Sequence, residues 1–221
     1  MNRAEVAKKI DHTNLKPEAT EEDIRKLCRE AQEYGFCAVC VNPCKVQIAA
    51  SLLKGTDIKV CSVIGFPLGA HTTKLKVAEA EQAVTDGATE IDMVMNIGWL
   101  KEGNHRLVEE DIRAVRAALA QEIILKVIIE AALLSDDEKR DAAKLVIQAG
   151  GDFVKTSTGF NPAGGASLSD VSLLKAVVGS NAKIKAAGGI RDAKTAIQFI
   201  EAGTDRIGAS SSATIINEIP N

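Results

Sequence analysis

Two lysines lie inside short aliphatic segments, where a charged side chain is unexpected. Lys155 lies in residues 153–158 and Lys185 in residues 182–187. Each lysine alone could be ion-paired or could extend toward water, because lysine is rarely buried without a partner. On neighbouring strands about 4.8 Å apart, however, two inward ammonium groups would repel each other. Repulsion and desolvation lower the pKa of an amine, and a neutral amine attacks carbonyl carbon, so the pair predicts Schiff-base chemistry.

Turns rich in glycine and serine follow two of the later aliphatic segments. Gly188 and Gly189 come directly after the segment that holds Lys185, and Ser210 and Ser211 follow the last segment. Glycine lets backbone N–H groups approach an anion, and serine hydroxyls donate further hydrogen bonds. Either turn alone is equally typical of ordinary turn or N-cap chemistry. Together the two turns predict a phosphate site beside the lysines.

The elements that must position these residues form a regular alternation of aliphatic and amphipathic segments. The predicted strands cover residues 9–15, 36–41, 58–66, 90–97, 123–131, 153–158, 182–187 and 206–209. The predicted helices cover residues 21–34, 45–53, 73–86, 105–120, 136–148, 169–178, 193–201 and 212–218. Thr20 and Ser135 precede acidic first turns, which is typical of helix N-caps.

This alternation predicts an α/β fold with parallel strands joined by right-handed crossovers. Eight repeats without a linker or a shift in composition predict one domain over residues 1–221, a (β/α)8 TIM barrel. A doubly wound open sheet is the alternative. Its first strand is often followed by a glycine-rich fingerprint, whereas residues 11–14 read Asp-His-Thr-Asn.

A barrel places its active site at the carboxyl ends of the strands, so polar residues there are the candidates. Besides the two lysines, this search selects residues of the first, fourth and fifth predicted strands: Asp11, Asp92, Asn96, Lys126 and Glu130.

Composition and charge argue against several other classes of protein. With 27 basic and 30 acidic residues the net charge is −3, and no basic block predicts a nucleic-acid or membrane surface. The N-terminal residues lack the apolar segment of a signal peptide, and no stretch approaches 18 apolar residues. Five cysteines without an export signal are expected to be free thiols, which predicts a cytoplasmic protein.

Two of these cysteines, Cys37 and Cys40, have the CxxC spacing of redox and zinc sites. They lie within an aliphatic strand, and residues three apart in a strand point to opposite faces. The spacing therefore does not favour a shared ligand.

Three segments together resemble one enzyme family. Residues 153–160 read Phe-Val-Lys-Thr-Ser-Thr-Gly-Phe, residues 185–190 read Lys-Ala-Ala-Gly-Gly-Ile, and residues 90–97 read Glu-Ile-Asp-Met-Val-Met-Asn-Ile. They resemble deoxyribose-phosphate aldolase, a class I aldolase family, over essentially the whole chain. The resemblance implies a lyase of deoxyribonucleotide catabolism that reversibly cleaves 2-deoxy-D-ribose 5-phosphate to D-glyceraldehyde 3-phosphate and acetaldehyde. It implies no metal or other cofactor, and a homodimer or homotetramer.

The resemblance also implies roles for individual residues. Lys155 matches the Schiff-base lysine, Lys185 the second lysine, and Asp92 the carboxylate of a proton relay. The phosphate contacts of the family fall on Gly159, Gly188, Gly189, Ser210 and Ser211, and further pocket positions on Asp11, Cys40 and Thr158. Phe160 is a departure, because some members have a lysine there.

Two other functions remain open at this stage. One is another Schiff-base sugar-phosphate aldolase, such as a transaldolase-like enzyme. The other is a non-catalytic barrel that binds sugar phosphates, although such a module has no need of a buried nucleophile.

Overall fold

Eight parallel strands close into a barrel in chain order in the computed structural model, which describes residues 1–220. The strands are β1 (Ile10–Asn14), β2 (Ala38–Val41), β3 (Lys59–Ile64), β4 (Glu90–Val94), β5 (Ile124–Ile128), β6 (Phe153–Lys155), β7 (Lys183–Ala187) and β8 (Arg206–Ala209). β8 pairs with β1 and so closes the sheet. The predicted (β/α)8 TIM barrel is confirmed.

Helices connect the strands on the outside of the barrel. They are α1 (Arg3–Ala7), α2 (Glu21–Tyr34), α3 (Val46–Leu52), α4 (Thr73–Thr85), α5 (Ile97–Lys101), α6 (His105–Ala118), α7 (Asp136–Gln148), α8 (Leu168–Val178), α9 (Ala193–Glu201) and α10 (Ser212–Asn217). Short 3-10 turns cover Pro43–Lys45 and Ala131–Leu133. No helix within residues 1–220 is long and apolar enough to cross a membrane.

The sequence prediction missed two short helices, α1 and α5. The predicted fourth strand ran to residue 97, whereas β4 ends at Val94 and the Asn96 side chain accepts a hydrogen bond from the Trp99 N–H at the start of α5. A side-chain cap of this kind ends the strand locally and begins a helix. Where the prediction found N-caps, at Thr20 and Ser135, complete capping boxes are present.

The apolar core fills the space between the sheet and the helices. Outward strand residues such as Val39, Ile91 and Leu125 are fully buried there among aliphatic helix residues. Alternate residues of each strand point into the barrel. Several of those inward residues are charged, among them Asp11, Asp92, Lys126 and Lys185, and each is fully buried. The layer between the sheet and the helices is therefore aliphatic, whereas the inside of the barrel holds a group of charged side chains.

Strand register brings the two candidate lysines together. Lys155 on β6 lies directly opposite Lys185 on β7, and Asp92 on β4 lies opposite Lys126 on β5. β6 ends at Lys155, three residues earlier than predicted, and residues 156–158 continue as a buried loop. The Thr156 N–H still donates to the Lys185 carbonyl at 3.0 Å, so the loop stays in line with the sheet.

Candidate active site

Seven charged side chains form one cluster inside the barrel. The four cations are Lys126, Lys155, Lys185 and Arg206, and the three carboxylates are Asp11, Glu90 and Asp92. The cluster therefore carries one excess positive charge when all seven groups are ionised. Ions buried in a low-dielectric interior require close partners. The ion pairs described below supply them.

Asp92 is at the centre of this cluster. Its Oδ2 lies 2.7 Å from the Nζ of Lys155 and 2.7 Å from the Nζ of Lys185. Its Oδ1 lies 2.8 Å from the Nζ of Lys126. Burial alone would raise the pKa of Asp92, but these three amines hold it well below its ordinary range. Asp92 is therefore ionised and links three lysines from three strands.

Asp11 and Arg206 form the adjacent part of the cluster. The Oδ2 of Asp11 lies 2.5 Å from the Nζ of Lys185, and its Oδ1 accepts a hydrogen bond from Arg206. Burial opposes ionisation of Asp11, yet the neighbouring cations lower its pKa overall. Arg206 also donates to Glu90 at 2.9 Å, which connects Asp11 to the far side of the barrel.

The effect of the lysine pair on Lys185 differs from the sequence prediction. Two inward amines were expected to lower each other's pKa. Burial does lower the pKa of Lys185, but Asp11 and Asp92 outweigh it and raise that pKa above its ordinary value. The prediction is wrong for Lys185 because it left out the carboxylates that lie between the amines. Lys185 is a protonated, paired ammonium group.

A cleft of about 530 Å³ opens above this cluster at the carboxyl ends of β1, β6, β7 and β8. Six of the predicted site residues line it: Lys155, Thr158, Gly159, Gly188, Gly189 and Ser210. Four others lie in the buried layer below: Asp11, Cys40, Asp92 and Lys185. Ser211 is the N-cap of α10 and is not among the residues that line the cleft. Lys155 alone of the clustered cations reaches the cleft floor.

Three further cations line the cleft, and the sequence analysis did not select them. They are Lys16, Lys26 and Arg191, and they share the cleft with the carboxylates of Asp23 and Glu30. With Lys155 the cations number four against two carboxylates, so the cleft favours an anion. Lys16 follows β1 and Arg191 follows the glycine turn after β7. A search extended four residues past each strand would have found both, because β1 ends at Asn14 and β7 at Ala187.

The loop after β6 is held by Glu130. The Thr158 N–H donates to Glu130 Oε1 at 3.1 Å, and the Thr158 hydroxyl donates to Oε2 at 2.5 Å. Glu130 itself has a φ of 49°, a left-handed conformation that costs energy for a residue with a Cβ. The two hydrogen bonds keep Glu130 in place. Glu130 thereby positions Thr158 and Gly159 at the cleft wall.

Glu90 and Arg206 are site residues that sequence reasoning missed. Both lie at the first positions of their strands, inside the segments that were searched, but neither was selected. Strand alternation could have identified Glu90, because this residue lies two positions before Asp92 and therefore points to the same face of the strand. Arg206 is identified only by the strand register, which places it opposite Lys185.

A closed parallel barrel with a lysine at the floor of a cationic cleft defines an enzyme of the (β/α)8 class that acts on carbonyl compounds through an amine. The family model described as DeoC/LacD family aldolase matches residues 5–214. The chain belongs to that aldolase family.

Individual relatives agree with this assignment. The chain is 59% identical over 220 residues to a deoxyribose-phosphate aldolase of Aciduliprofundum boonei, covering 99% of both chains. It is 57% identical over 218 residues to the deoxyribose-phosphate aldolase of Clostridium kluyveri, covering 99% of this chain and all of the relative. Among solved structures, the tetrameric deoxyribose phosphate aldolase of Aeropyrum pernix superposes with a TM-score of 0.90 at 35% identity, covering 98% of this chain and 91% of that one.

Proposed function

We propose that this chain reversibly cleaves 2-deoxy-D-ribose 5-phosphate to D-glyceraldehyde 3-phosphate and acetaldehyde through a Schiff base on Lys155. The observation that carries the proposal is the position of Lys155: its amine is at the cleft floor and 2.7 Å from Asp92 Oδ2. The full-length relatives named deoxyribose-phosphate aldolase support the same substrate.

The charge balance of the cluster favours Lys155 as the nucleophile. Loss of one proton leaves three cations facing three carboxylates, and Lys155 has one carboxylate contact whereas Lys185 has two. The neutral amine attacks the aldehyde carbon of the open-chain sugar, and loss of water gives an iminium. The iminium restores the positive charge beside Asp92, which stabilises it electrostatically.

The iminium then accepts the electrons of the bond that breaks. A base removes the proton of the C3 hydroxyl, the bond between C2 and C3 cleaves, and carbons 3 to 5 leave as glyceraldehyde 3-phosphate. The enamine that remains on Lys155 is protonated at carbon, and water hydrolyses the resulting iminium to acetaldehyde and free amine. Asp92 and Lys185 are the groups we assign to these proton transfers, through a water molecule.

We assign the phosphate to the part of the cleft lined by Gly159, Gly188, Gly189 and Ser210. Ser211, the N-cap of α10, is assigned to the phosphate from the resemblance alone. Binding the remote phosphate holds the sugar so that its carbonyl meets Lys155.

A cleavage assay with EDTA present tests substrate and chemistry together. We expect equal amounts of glyceraldehyde 3-phosphate and acetaldehyde from 2-deoxyribose 5-phosphate, with an undiminished rate in EDTA. Transfer of a larger ketose fragment instead would indicate a transaldolase-like enzyme. Binding of the sugar phosphate without turnover would indicate a non-catalytic barrel. Either result contradicts the proposal.

We also propose a homodimer or homotetramer as the assembly. The tetrameric aldolase of A. pernix supports this. Leu68 and Leu75, at the end of β3 and the start of α4, are 74% and 54% exposed and offer apolar surface. Sedimentation equilibrium at micromolar concentration decides between monomer, dimer and tetramer.

The cytoplasm is the location that we propose. All five cysteines are free, which fits a reducing compartment. Cell fractionation with antibody detection tests this.

A further inference from the structure

Two buried thiols lie beside the charged cluster, and the proposed reaction assigns no chemical step to either of them. Cys40 on β2 is the register partner of Cys61 on β3, and both are fully buried. The Cys61 Sγ lies 3.0 Å from Asp92 Oδ1. Cys37, which has CxxC spacing to Cys40 but was not expected to share a ligand with it, is not part of this group. Barrel topology thus pairs Cys40 with a residue 21 positions later in the chain.

The three side chains lie close enough together to converge on one metal ion. One ligand atom from each of Cys40, Cys61 and Asp92 lies within 4.8 Å of the others. Ligands about 2.3 Å from a tetrahedral ion lie about 3.8 Å apart, so a contraction of about 1 Å would close the site. Two sulfur ligands select a thiophilic ion such as Zn²⁺ or Cd²⁺ over Mg²⁺ or Ca²⁺.

We propose that Cys40, Cys61 and Asp92 bind one thiophilic divalent cation and that this ion inhibits the enzyme. The ion replaces the protons of both thiols, so a charge of +2 enters as two protons leave. The net charge of the cluster is therefore unchanged, although Lys126 lies only 3.4 Å from the Cys61 Sγ.

The thiols differ in how readily they lose their protons. The hydrogen bond with Cys61 lowers the pKa of Cys40, against the effect of burial. Burial raises the pKa of Cys61 well above its ordinary value, and the hydrogen bond with Cys40 and the charge of Asp92 add to this. Metal binding releases both thiol protons, so binding should strengthen as pH rises, as for other thiolate sites.

Inhibition follows from the shared carboxylate. Asp92 Oδ1 would bond to the ion, while Oδ2 of the same group is the partner of Lys155 and Lys185. A metal-bound carboxylate has less charge to offer an iminium on Lys155 and accepts a proton less readily. The loss of turnover rests on the proposed function, whereas metal binding does not.

The cleft gives an ion a route to this site. Leu15 lines the cleft and packs in the same small apolar cluster as Cys40 and Cys61, and Lys155 forms the floor nearby. One of these side chains must move before an ion passes. We therefore expect inhibition that develops slowly and that prior occupation of the cleft by substrate delays.

Cadmium titration of the reduced, metal-free protein tests the proposal. Thiolate-to-cadmium charge transfer gives an ultraviolet absorption band that reports binding without any activity measurement. We expect the band to saturate at one ion per chain, with cleavage of 2-deoxyribose 5-phosphate falling in parallel and recovering on addition of EDTA. A band without inhibition would separate the two claims: the site would stand and the inhibitory role would be overturned.

Variants assign the signal to these residues. Cys61→Ser should weaken inhibition by at least about tenfold, relative to the metal-free rate of the same variant, and should diminish the band. If circular dichroism shows that Cys61→Ser is unfolded, Cys61→Val is measured in its place, because valine is apolar and of suitable size. Cys44→Ser is the matched control, since Cys44 is exposed, and it should change neither quantity. An unchanged band in Cys61→Ser, or its loss in Cys44→Ser, would overturn the proposal.

Discussion

Asp92 determines what each neighbouring lysine does. It contacts Lys155 and Lys185 through the same oxygen at the same distance, yet the two amines differ in their other surroundings. Lys185 contacts a second carboxylate, Asp11, and is fully buried. Within residues 1–220, Lys155 contacts no carboxylate besides Asp92, and it lines the cleft. On this difference we base the proposal that Lys155 is the nucleophile and that Lys185 is its charged partner in proton transfer.

Replacing Lys185 should affect both turnover and stability. In Lys185→Leu we expect kcat to fall by at least about 10²-fold, because a group assigned to proton transfer is lost. Removing one partner of a buried ion pair leaves Asp11 and Asp92 under-compensated, so the free energy of unfolding should fall by about 3–5 kcal/mol. Steady-state kinetics and urea unfolding measure the two effects.

Lys183→Leu is the matched control on the same strand. Lys183 is exposed and lies 5.6 Å from the centre of the Phe153 ring, so its loss should cost less than about 1 kcal/mol and leave kcat unchanged. Wild-type turnover in Lys185→Leu would remove Lys185 from the mechanism.

At the scale of elements, the loops after β6 and β7 pack against each other along the wall of the cleft to which we assign the phosphate. A Cβ at Gly165 would lie 2.3 Å from the Gly188 carbonyl oxygen, far inside contact distance. The loop that leads to α8 therefore approaches the glycine turn after β7 as closely as backbone permits. The Ala166 N–H donates to the Ala187 carbonyl at 3.0 Å and fixes this contact.

Gly165→Ala should disturb phosphate binding more than amine chemistry. The added methyl group pushes the Gly188 turn out of place, so we expect KM for 2-deoxyribose 5-phosphate to rise by about tenfold or more. The rate at which acetaldehyde, which has no phosphate, forms a borohydride-reducible adduct should stay within about twofold.

Gly98→Ala provides the comparison for this variant, because a Cβ there meets its nearest neighbour at 3.4 Å, on α5 away from the cleft. Its KM should match the wild type. An equal loss of acetaldehyde adduct and sugar-phosphate affinity in Gly165→Ala would show that the two loops do more than hold phosphate.

At the scale of the whole molecule, the buried ion cluster makes stability depend on pH at both extremes. The folded-state pKa values of Asp11 and Asp92 lie below the ordinary value of 3.8, so their contribution is present above that pH and is lost as pH falls. Those of Lys126 and Lys185 lie above 10.5, so their contribution is present below that pH and is lost as pH rises.

We therefore expect a free energy of unfolding that, for these groups, is flat near neutral pH. It should fall below about pH 4 and above about pH 10.5. Urea unfolding across pH measures the profile. Asp92→Asn should show a shallower acid limb, since one fewer buried carboxylate takes up a proton on unfolding. Stability that rises as pH falls from 4 to 3 would contradict the ion cluster.

Much of this architecture could be predicted from the sequence, because the alternation of aliphatic and amphipathic segments can be read from short stretches of the chain. Strand and helix positions, the barrel, and the carboxyl-end lysines all follow from short-range patterns. The ion cluster could not be predicted, because Lys185 meets Asp11 and Asp92 only through closure and register across several strands. For the same reason the sequence argued against a shared site of Cys37 and Cys40 but could not show that the barrel pairs Cys40 with Cys61.

Borohydride trapping tests the central claim most directly. The protein is incubated with acetaldehyde, reduced with borohydride, digested, and mapped by mass spectrometry. We predict one ethyl group per chain, on the peptide that contains Lys155, and none in a Lys155→Leu variant. An ethyl group found specifically on Lys185 or Lys126, or full aldolase activity in Lys155→Leu, would contradict the account.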